Sequence, residues 1–269
     1  NRPVGVFDSG LGGLTAARKI RSILPSEDII YFGDTSRVPY GGRSREILLK
    51  YARQDVRFLR SFNIKAIVVA CGTVSTTCLP QLQAENDLPV LGVVEPACRR
   101  AVAVSKTRHV GLIATAASVR SGTYEQIIHA LDPDVTVTAR ACPLFVPLVE
   151  NGRYERGDVV IETVAREYLE PIRGSGIDTL ILGCTHYPLL MDLIGEIMGP
   201  EVTLIDTGEE AAWELKRTLK AKNLLSDCAQ EGTTTLYASD QPEDFGSMAK
   251  HFLQEELTSP VLQVNIDRY

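Results

Sequence analysis

Two segments of this chain place a cysteine in the same setting. The first is Ile64-Lys65-Ala66-Ile67-Val68-Val69-Ala70-Cys71-Gly72-Thr73, and the second is Ile177-Asp178-Thr179-Leu180-Ile181-Leu182-Gly183-Cys184-Thr185-His186. Each is a short β-branched and Leu-rich run leading into a small residue, then Cys, and each is followed by a helix-like stretch. In a parallel α/β sheet this puts a thiol at the carboxyl end of a strand and the amino end of a helix, where ligands bind. A helix terminus also lowers a thiol's pKa. Two thiols in matching contexts imply two facing acid/base groups, and therefore proton chemistry.

Other residues could serve the same chemistry. Asp8 opens Asp8-Ser9-Gly10-Leu11-Gly12-Gly13 directly after the first apolar run. The glycines permit a tight turn and close backbone approach to a ligand. Thr15 breaks the G-x-G-x-x-G frame, which argues against a dinucleotide site. Read alone, Asp8 would simply cap the next helix. Pro39-Tyr40-Gly41-Gly42-Arg43 is either a surface turn or a pocket lining at the same sheet edge. His186, two residues past Cys184, sits beside a candidate base. Glu150 lies in a Pro-rich segment expected to be a loop.

Several alternatives fail on spacing. Cys184-Thr185-His186 lacks the gap of a metal-binding pair, and no C-x-x-C occurs, so no metal is expected. A phosphatase-type cysteine needs Arg six residues on, where Thr77 and Leu190 stand. Cys78, Cys98, Cys142 and Cys228 are expected to be packing residues. His109, His129 and His251 have unremarkable surroundings.

Positioning these groups requires alternating strands and helices, which the hydrophobic pattern supplies. Strands are expected at 4–7, 29–32, 66–70 and 90–94, and again at 110–113, 135–138, 179–182 and 202–205. A closing strand is expected over 261–266. Leu14, Ala17, Ile20 and Leu24 share one helix face before Pro25, and Leu48, Ala52, Val56, Leu59 and Phe62 share another. Residues 4–9 with their turn and helix resemble 110–118, as Cys71 matches Cys184. The expected division is a first lobe of residues 1–96 plus 208–269 and a second of 97–207. The expected fold class is α/β, with two pseudo-symmetric lobes, each a mostly parallel sheet flanked by helices, and a cleft between them for the active site.

Composition narrows the class further. The chain has 269 residues, is 44% hydrophobic and carries a net charge of −6. No basic run stands out, so neither nucleic acid nor an anionic membrane is an expected partner. No apolar stretch reaches the ~18 residues of a membrane span. Asn1-Arg2-Pro3-Val4 runs straight into a strand without a signal peptide's apolar region. Six dispersed cysteines point to reduced thiols in the cytoplasm.

Together these residues resemble the cofactor-independent glutamate racemases of bacteria. The likeness runs from Val4-Gly5-Val6-Phe7-Asp8-Ser9-Gly10 through Phe32-Gly33-Asp34 and Val38-Pro39-Tyr40-Gly41. It continues through Ala70-Cys71, Pro143-Leu144-Phe145-Val146-Pro147-Leu148-Val149-Glu150 and Gly183-Cys184-Thr185-His186-Tyr187-Pro188. The resemblance implies two α/β lobes, often dimerisation, and supply of D-glutamate for peptidoglycan. It implies Cys71 and Cys184 as catalytic bases, with Asp8, His186 and Glu150 assisting. Substrate contacts are implied for Asp8, Ser9, Pro39, Tyr40, Gly41, Gly72, Thr73, Ser118, Thr185 and His186. The family reads Cys-Asn-Thr where this chain has Cys71-Gly72-Thr73, so a carboxamide that touches substrate is missing. Ser118 stands where the family has Thr, and the hydroxyl survives.

The α-hydrogen of an amino acid is a very weak acid, and no motif suggests a Schiff-base lysine, so no cofactor is expected. Inversion then needs a base on one face and an acid on the other. The rivals are aspartate racemase, a related decarboxylase or isomerase, and a non-catalytic amino-acid-binding protein. Relatives acting on aspartate carry Glu after the second Cys-Thr, where this chain has His186. A binding protein would need no paired thiols and would carry an export signal.

Overall fold

The short apolar runs form parallel strands because helices cover both of their faces. The computed structural model describes residues 2–269, so that of the N-terminal segment only Asn1 lies outside the described residues. Strand β1 (Val4–Asp8) is buried at all five positions. Helix α1 (Leu14–Ile23) turns Leu14, Ala17 and Ile20 inward. After β2 (Ile29–Gly33), two 3-10 turns over Thr35–Arg37 and Tyr40–Gly42 lead to α2 (Arg45–Arg60). The Ser44 side chain accepts from the Ile47 amide at the start of α2, satisfying one of the amides a helix start leaves unpaired. Strand β3 (Ala66–Val69), α3 (Gly72–Thr77), α4 (Leu79–Glu85) and β4 (Val90–Gly92) complete the first series.

The second series begins with α5 (Val94–Val104), β5 (His109–Ala114), α6 (Ala116–Ser121), α7 (Thr123–Leu131) and β6 (Thr136–Ala141). It continues through α8 (Phe145–Glu150), α9 (Val159–Arg173), β7 (Thr179–Gly183), a 3-10 turn over Tyr187–Leu190, α10 (Met191–Met198) and β8 (Thr203–Asp206). The chain ends with α11 (Thr207–Ala221), β9 (Thr234–Ala238), α12 (Pro242–Leu253), β10 (Leu262–Gln263) and a 3-10 turn over Ile266–Arg268. Among the described residues no helix is long and apolar enough to cross a membrane.

The chain divides into two compact units, Asn1–Val93 with Gly208–Tyr269, and Val94–Thr207. The first holds a sheet of order β10-β9-β2-β1-β3-β4, and the second a sheet of order β6-β5-β7-β8. Every pairing in both is parallel. The segment β2-β1-β3-β4 has the same order as β6-β5-β7-β8, so the repeat read in the sequence exists as topology. Cys71 and Cys184 each follow the third strand of their set.

Three expectations need correction. The run over 261–266 pairs at Leu262 and Gln263, with the Val264 amide donating to the Ala238 carbonyl at 2.9 Å. Beyond them the Asn265 side chain accepts from the Asp267 amide and turns the chain into a 3-10 segment. Glu150 ends a helix and does not lie in a loop. Phe145 and Val149 bury one face of α8, while Pro147 falls in its first turn, where a missing N–H costs nothing. Cys78, Cys98 and Cys142 are buried as expected, but Cys228 is exposed, in the connection between α11 and β9.

Candidate active site

In each sheet the next two strands in the chain lie on opposite sides of the first, β2 and β3 about β1 and β6 and β7 about β5. From β1 it crosses to β2 on one side and then to β3 on the other, so the switch point lies between β1 and β3. Open α/β sheets bind ligands outside the carboxyl ends at such a point. Asp8 is the last residue of β1, and Cys71 follows β3 by two residues. In the second unit the equivalent ends belong to β5 and β7, which lead to Thr115 and Cys184.

The Asp8 carboxylate is buried and accepts from the Gly13 amide at 2.7 Å. A Cβ on Gly13 would sit 2.5 Å from Asp8 Cβ and 2.8 Å from the Tyr31 hydroxyl, so only glycine fits. Tyr31 donates to the Gly10 carbonyl at 2.7 Å and pins the other side of the turn. Asp8 thus does hold the start of α1, as its bland reading implies, and does so from the sheet edge beside Cys71.

Cys71 is the residue before α3. Its carbonyl accepts from the Ser75 amide at 2.9 Å, and its Sγ faces the Ser9 hydroxyl at 3.8 Å. Gly72 and Thr73 are buried in the first turn. The Thr73 carbonyl accepts from the Thr76 hydroxyl at 3.0 Å and from Thr77 at 2.6 Å. A helix terminus was expected to depress the thiol's pKa. Instead burial pushes the Cys71 thiol well up, with the Asp8 carboxylate adding to the rise and bonds from Val74 and Ser9 opposing it. A six-residue helix does not outweigh that desolvation.

The turn after β2 resolves its two readings. Pro39 is exposed, and a Cβ on Gly41 would meet nothing within 4 Å. Tyr40 is buried, and its hydroxyl donates inward to Asp34. Pro39 and Gly41 therefore form the open face of this loop, while Tyr40 anchors it from behind.

In the second unit, Gly183 precedes the thiol because a Cβ there would lie 2.8 Å from the Ile113 carbonyl oxygen. The Cys184 carbonyl accepts from the Tyr187 amide at 3.0 Å, which closes the turn carrying Thr185 and His186. His186 Nδ1 is 3.8 Å from Cys184 Sγ, and its Nε2 is 2.9 Å from Glu150 Oε1. The end of α8 and the turn after β7 thereby assemble a Cys–His–carboxylate chain. Burial alone would lower the imidazole's pKa, but hydrogen bonds and charge from Cys184 and Glu150 prevail and push it up to about 10. Thr185 is buried beside this chain. Ser118 is buried in α6, where its hydroxyl accepts from Thr115 at 3.1 Å. Thr115 follows β5 as Ser9 follows β1, an equivalence that aligning the two repeats would have exposed.

Among the described residues no group of three or more His, Cys, Asp or Glu side chains is arranged to hold a metal ion. The geometry is that of two thiols, each at a switch point, with different charged neighbours.

Comparison with known proteins gives the family and the fold. The family model for Asp/Glu/Hydantoin racemases matches residues 17–215. The chain belongs to that family of isomerases. Within it, the chain is 44% identical to the glutamate racemase of Geobacter metallireducens, covering 99% of this chain and 97% of that one. The solved glutamate racemase of Bacillus anthracis superposes with a TM-score of 0.94 at 37% identity, covering 98% of each chain. That of Francisella tularensis, solved in complex with D-glutamate, gives 0.91 at 38% identity over 100% of this chain and 99% of that one. The resemblance read from the motifs is thus borne out.

Proposed function

We propose that this protein interconverts L- and D-glutamate without a cofactor, using Cys71 and Cys184 as the two acid/base groups. The observation that carries this reading is the duplicated strand order with a thiol after the third strand of each set, in a chain of the racemase family. The reaction requires the two sulfurs to address opposite faces of one α-carbon.

Their neighbours assign the starting roles. His186, held protonated, places a positive charge beside the Cys184 sulfur, and this assigns Cys184 to take the α-proton. Cys71, kept as a thiol by burial and by Asp8, delivers its proton to the other face. The proton count balances: one S–H forms as one breaks, and the roles reverse for the other enantiomer. Amides at the start of α3 and in the turn after Cys184 stabilise the negative charge that develops on the α-carboxylate. Ser9, Thr73, Ser118 and Thr185 supply polar contacts to glutamate, as do Pro39 and Gly41 through the loop backbone. Gly72 leaves one contact to water or to a neighbouring residue.

The same reading carries a homodimer in the cytoplasm that supplies D-glutamate to peptidoglycan. Circular dichroism of L-glutamate incubated with the protein alone tests the activity: ellipticity decays to zero, and in D2O the α-position gains deuterium. A flat glutamate signal with turnover of aspartate would replace glutamate by the smaller acid.

A further inference from the structure

Behind the loop that carries Pro39 and Gly41 lies a cluster with an excess of negative charge. Asp34 and Asp55 are both fully buried, and the Tyr40 hydroxyl stands between them. Tyr40 donates to Asp34 Oδ2, and Asp55 Oδ2 lies 3.3 Å from the same hydroxyl. The one guanidinium in the cluster pairs with Asp34 and leaves Asp55 without an ion-pair partner. Arg37 Nε is 3.3 Å from Asp34, its Nη1 donates to Gln54 at 2.9 Å, and its plane lies 4.5 Å over the Tyr51 ring. Its remaining nitrogen is 3.9 Å from Asp267. Ser239 donates to the second Asp34 oxygen at 2.9 Å. Asp55 Oδ1 has no hydrogen-bond partner.

A hydroxyl has one proton and cannot donate to two carboxylates at once. An unpartnered carboxylate oxygen in a dry interior is also far more costly than an unpartnered carbonyl. Both conditions are met if Asp55 carries a proton and Tyr40 accepts it. We propose that Asp55 is a positioning residue for the substrate loop: as a neutral acid it donates to Tyr40, which donates to Asp34, and this relay holds Pro39 and Gly41 in place. The inference rests on the glutamate reading above.

The surroundings agree from every packed element. Asp34, Arg37 and Tyr40 face Asp55 from the segment after β2, Asp8 from the end of β1, and Asp267 through Arg37 from the last 3-10 turn, while Cys71 acts on Tyr40. Burial, then the Asp34 charge, push the Asp55 carboxyl well above its ordinary range, and Arg37 and Tyr40 offset this only in part. Ionising Asp55 removes the donor to Tyr40 and sets two carboxylates against one hydroxyl, which loosens the loop.

The test uses the whole protein. With aspartate carboxyls labelled with 13C, one signal should remain at its protonated position at neutral pH and should vanish in Asp55→Asn. In the same proteins, KM for both enantiomers should rise several-fold toward alkaline pH in the unmodified chain, with kcat changing less. Asp55→Asn, whose amide donates to Tyr40 at every pH, should show a flat KM. Tyr40→Phe, which cuts the relay, should raise KM throughout. A spectrum with every aspartate ionised at neutral pH overturns the proposal, whether or not a variant folds. An equal alkaline rise of KM in Asp55→Asn also overturns it. A protonated Asp55 in a protein that never turns over glutamate supports the relay and overturns the substrate reading instead.

Discussion

The Cys71 half and the Cys184 half share strand order, switch point and a buried small residue before the sulfur. They differ in what stands beside it. Cys71 faces a neutral hydroxyl at 3.8 Å, with a carboxylate nearby that disfavours a second negative charge. Cys184 faces an imidazole backed by Glu150. A duplicated scaffold thus presents two unlike thiols. On the proposed two-base reading, duplication supplies one thiol per unit, and divergence around each thiol sets which sulfur starts as base. Fold symmetry and chemical symmetry are separable, and the neighbours can be changed without touching the scaffold.

The strongest test of the shared part removes either sulfur. Cys71→Ser and Cys184→Ser should each abolish racemisation, a loss of about 10²–10⁴-fold, the usual contribution of an acid/base group that moves a proton in the transition state. Each variant should still exchange or eliminate a proton on its intact side with a suitable analogue. Full activity in either variant, read by circular dichroism, would break the two-base comparison.

The next test concerns the unlike part. Asp8→Asn and His186→Asn should each slow the two directions unequally in kcat, by ~10²-fold on the side served. Because enantiomers have equal free energies, the kcat/KM values must fall together, and only kcat can show the bias. Equal kcat losses in both directions for both variants would erase the difference drawn here.

A smaller effect should follow from Glu150→Gln. Cys184 and Glu150 push the His186 imidazole up to about 10 from an ordinary value of 6.5. A raised pKa means that the pair's contribution is full below 6.5 and is lost as pH rises through about 10. Replacing a half-exposed carboxylate by an amide should narrow that window from above. The alkaline limb of kcat with Cys184 as base should move to lower pH, by less than the whole shift because Cys184 still acts on the imidazole. An unmoved limb would take Glu150 out of the chain.

The smallest expected change is at Gly72. Restoring a carboxamide with Gly72→Asn should lower KM for glutamate by roughly three- to tenfold with little change in kcat, the worth of one neutral hydrogen bond of ~0.5–1.5 kcal/mol. A higher KM would mean that the first turn of α3 has been rebuilt around glycine.

Much of this arrangement was legible in the sequence because parallel strands write themselves as continuous apolar runs. Val4 through Phe7 and Leu180 through Leu182 could hardly be anything else once both faces are buried. The sulfurs were legible because each ends such a run. What escaped was long-range. Glu150 came from the resemblance alone: nothing near it announces that α8 will bring it to His186, 36 positions on. Nothing around Cys71 reveals that burial will outweigh its short helix. Asp55 left a trace that went unread: it sits on the apolar face of α2 among Ala52, Val56 and Leu59, where a lone carboxylate has no business unless paired or protonated.

The order of synthesis gives the β2–β9 pairing a further meaning. Strand β2 lies against β9 from Ile29 opposite Thr234 to Gly33 opposite Ala238. A ribosome delivers these partners some two hundred residues apart, with the whole of Val94–Thr207 translated in between. Throughout that interval β2 is an open edge of unpaired amides and carbonyls, the kind that recruits foreign strands. Ser239 has not yet arrived to bond Asp34 either. A chain shortened before Thr234 would keep both thiols and their strands, yet it should aggregate, because the last strands seal an edge exposed since the first ones formed.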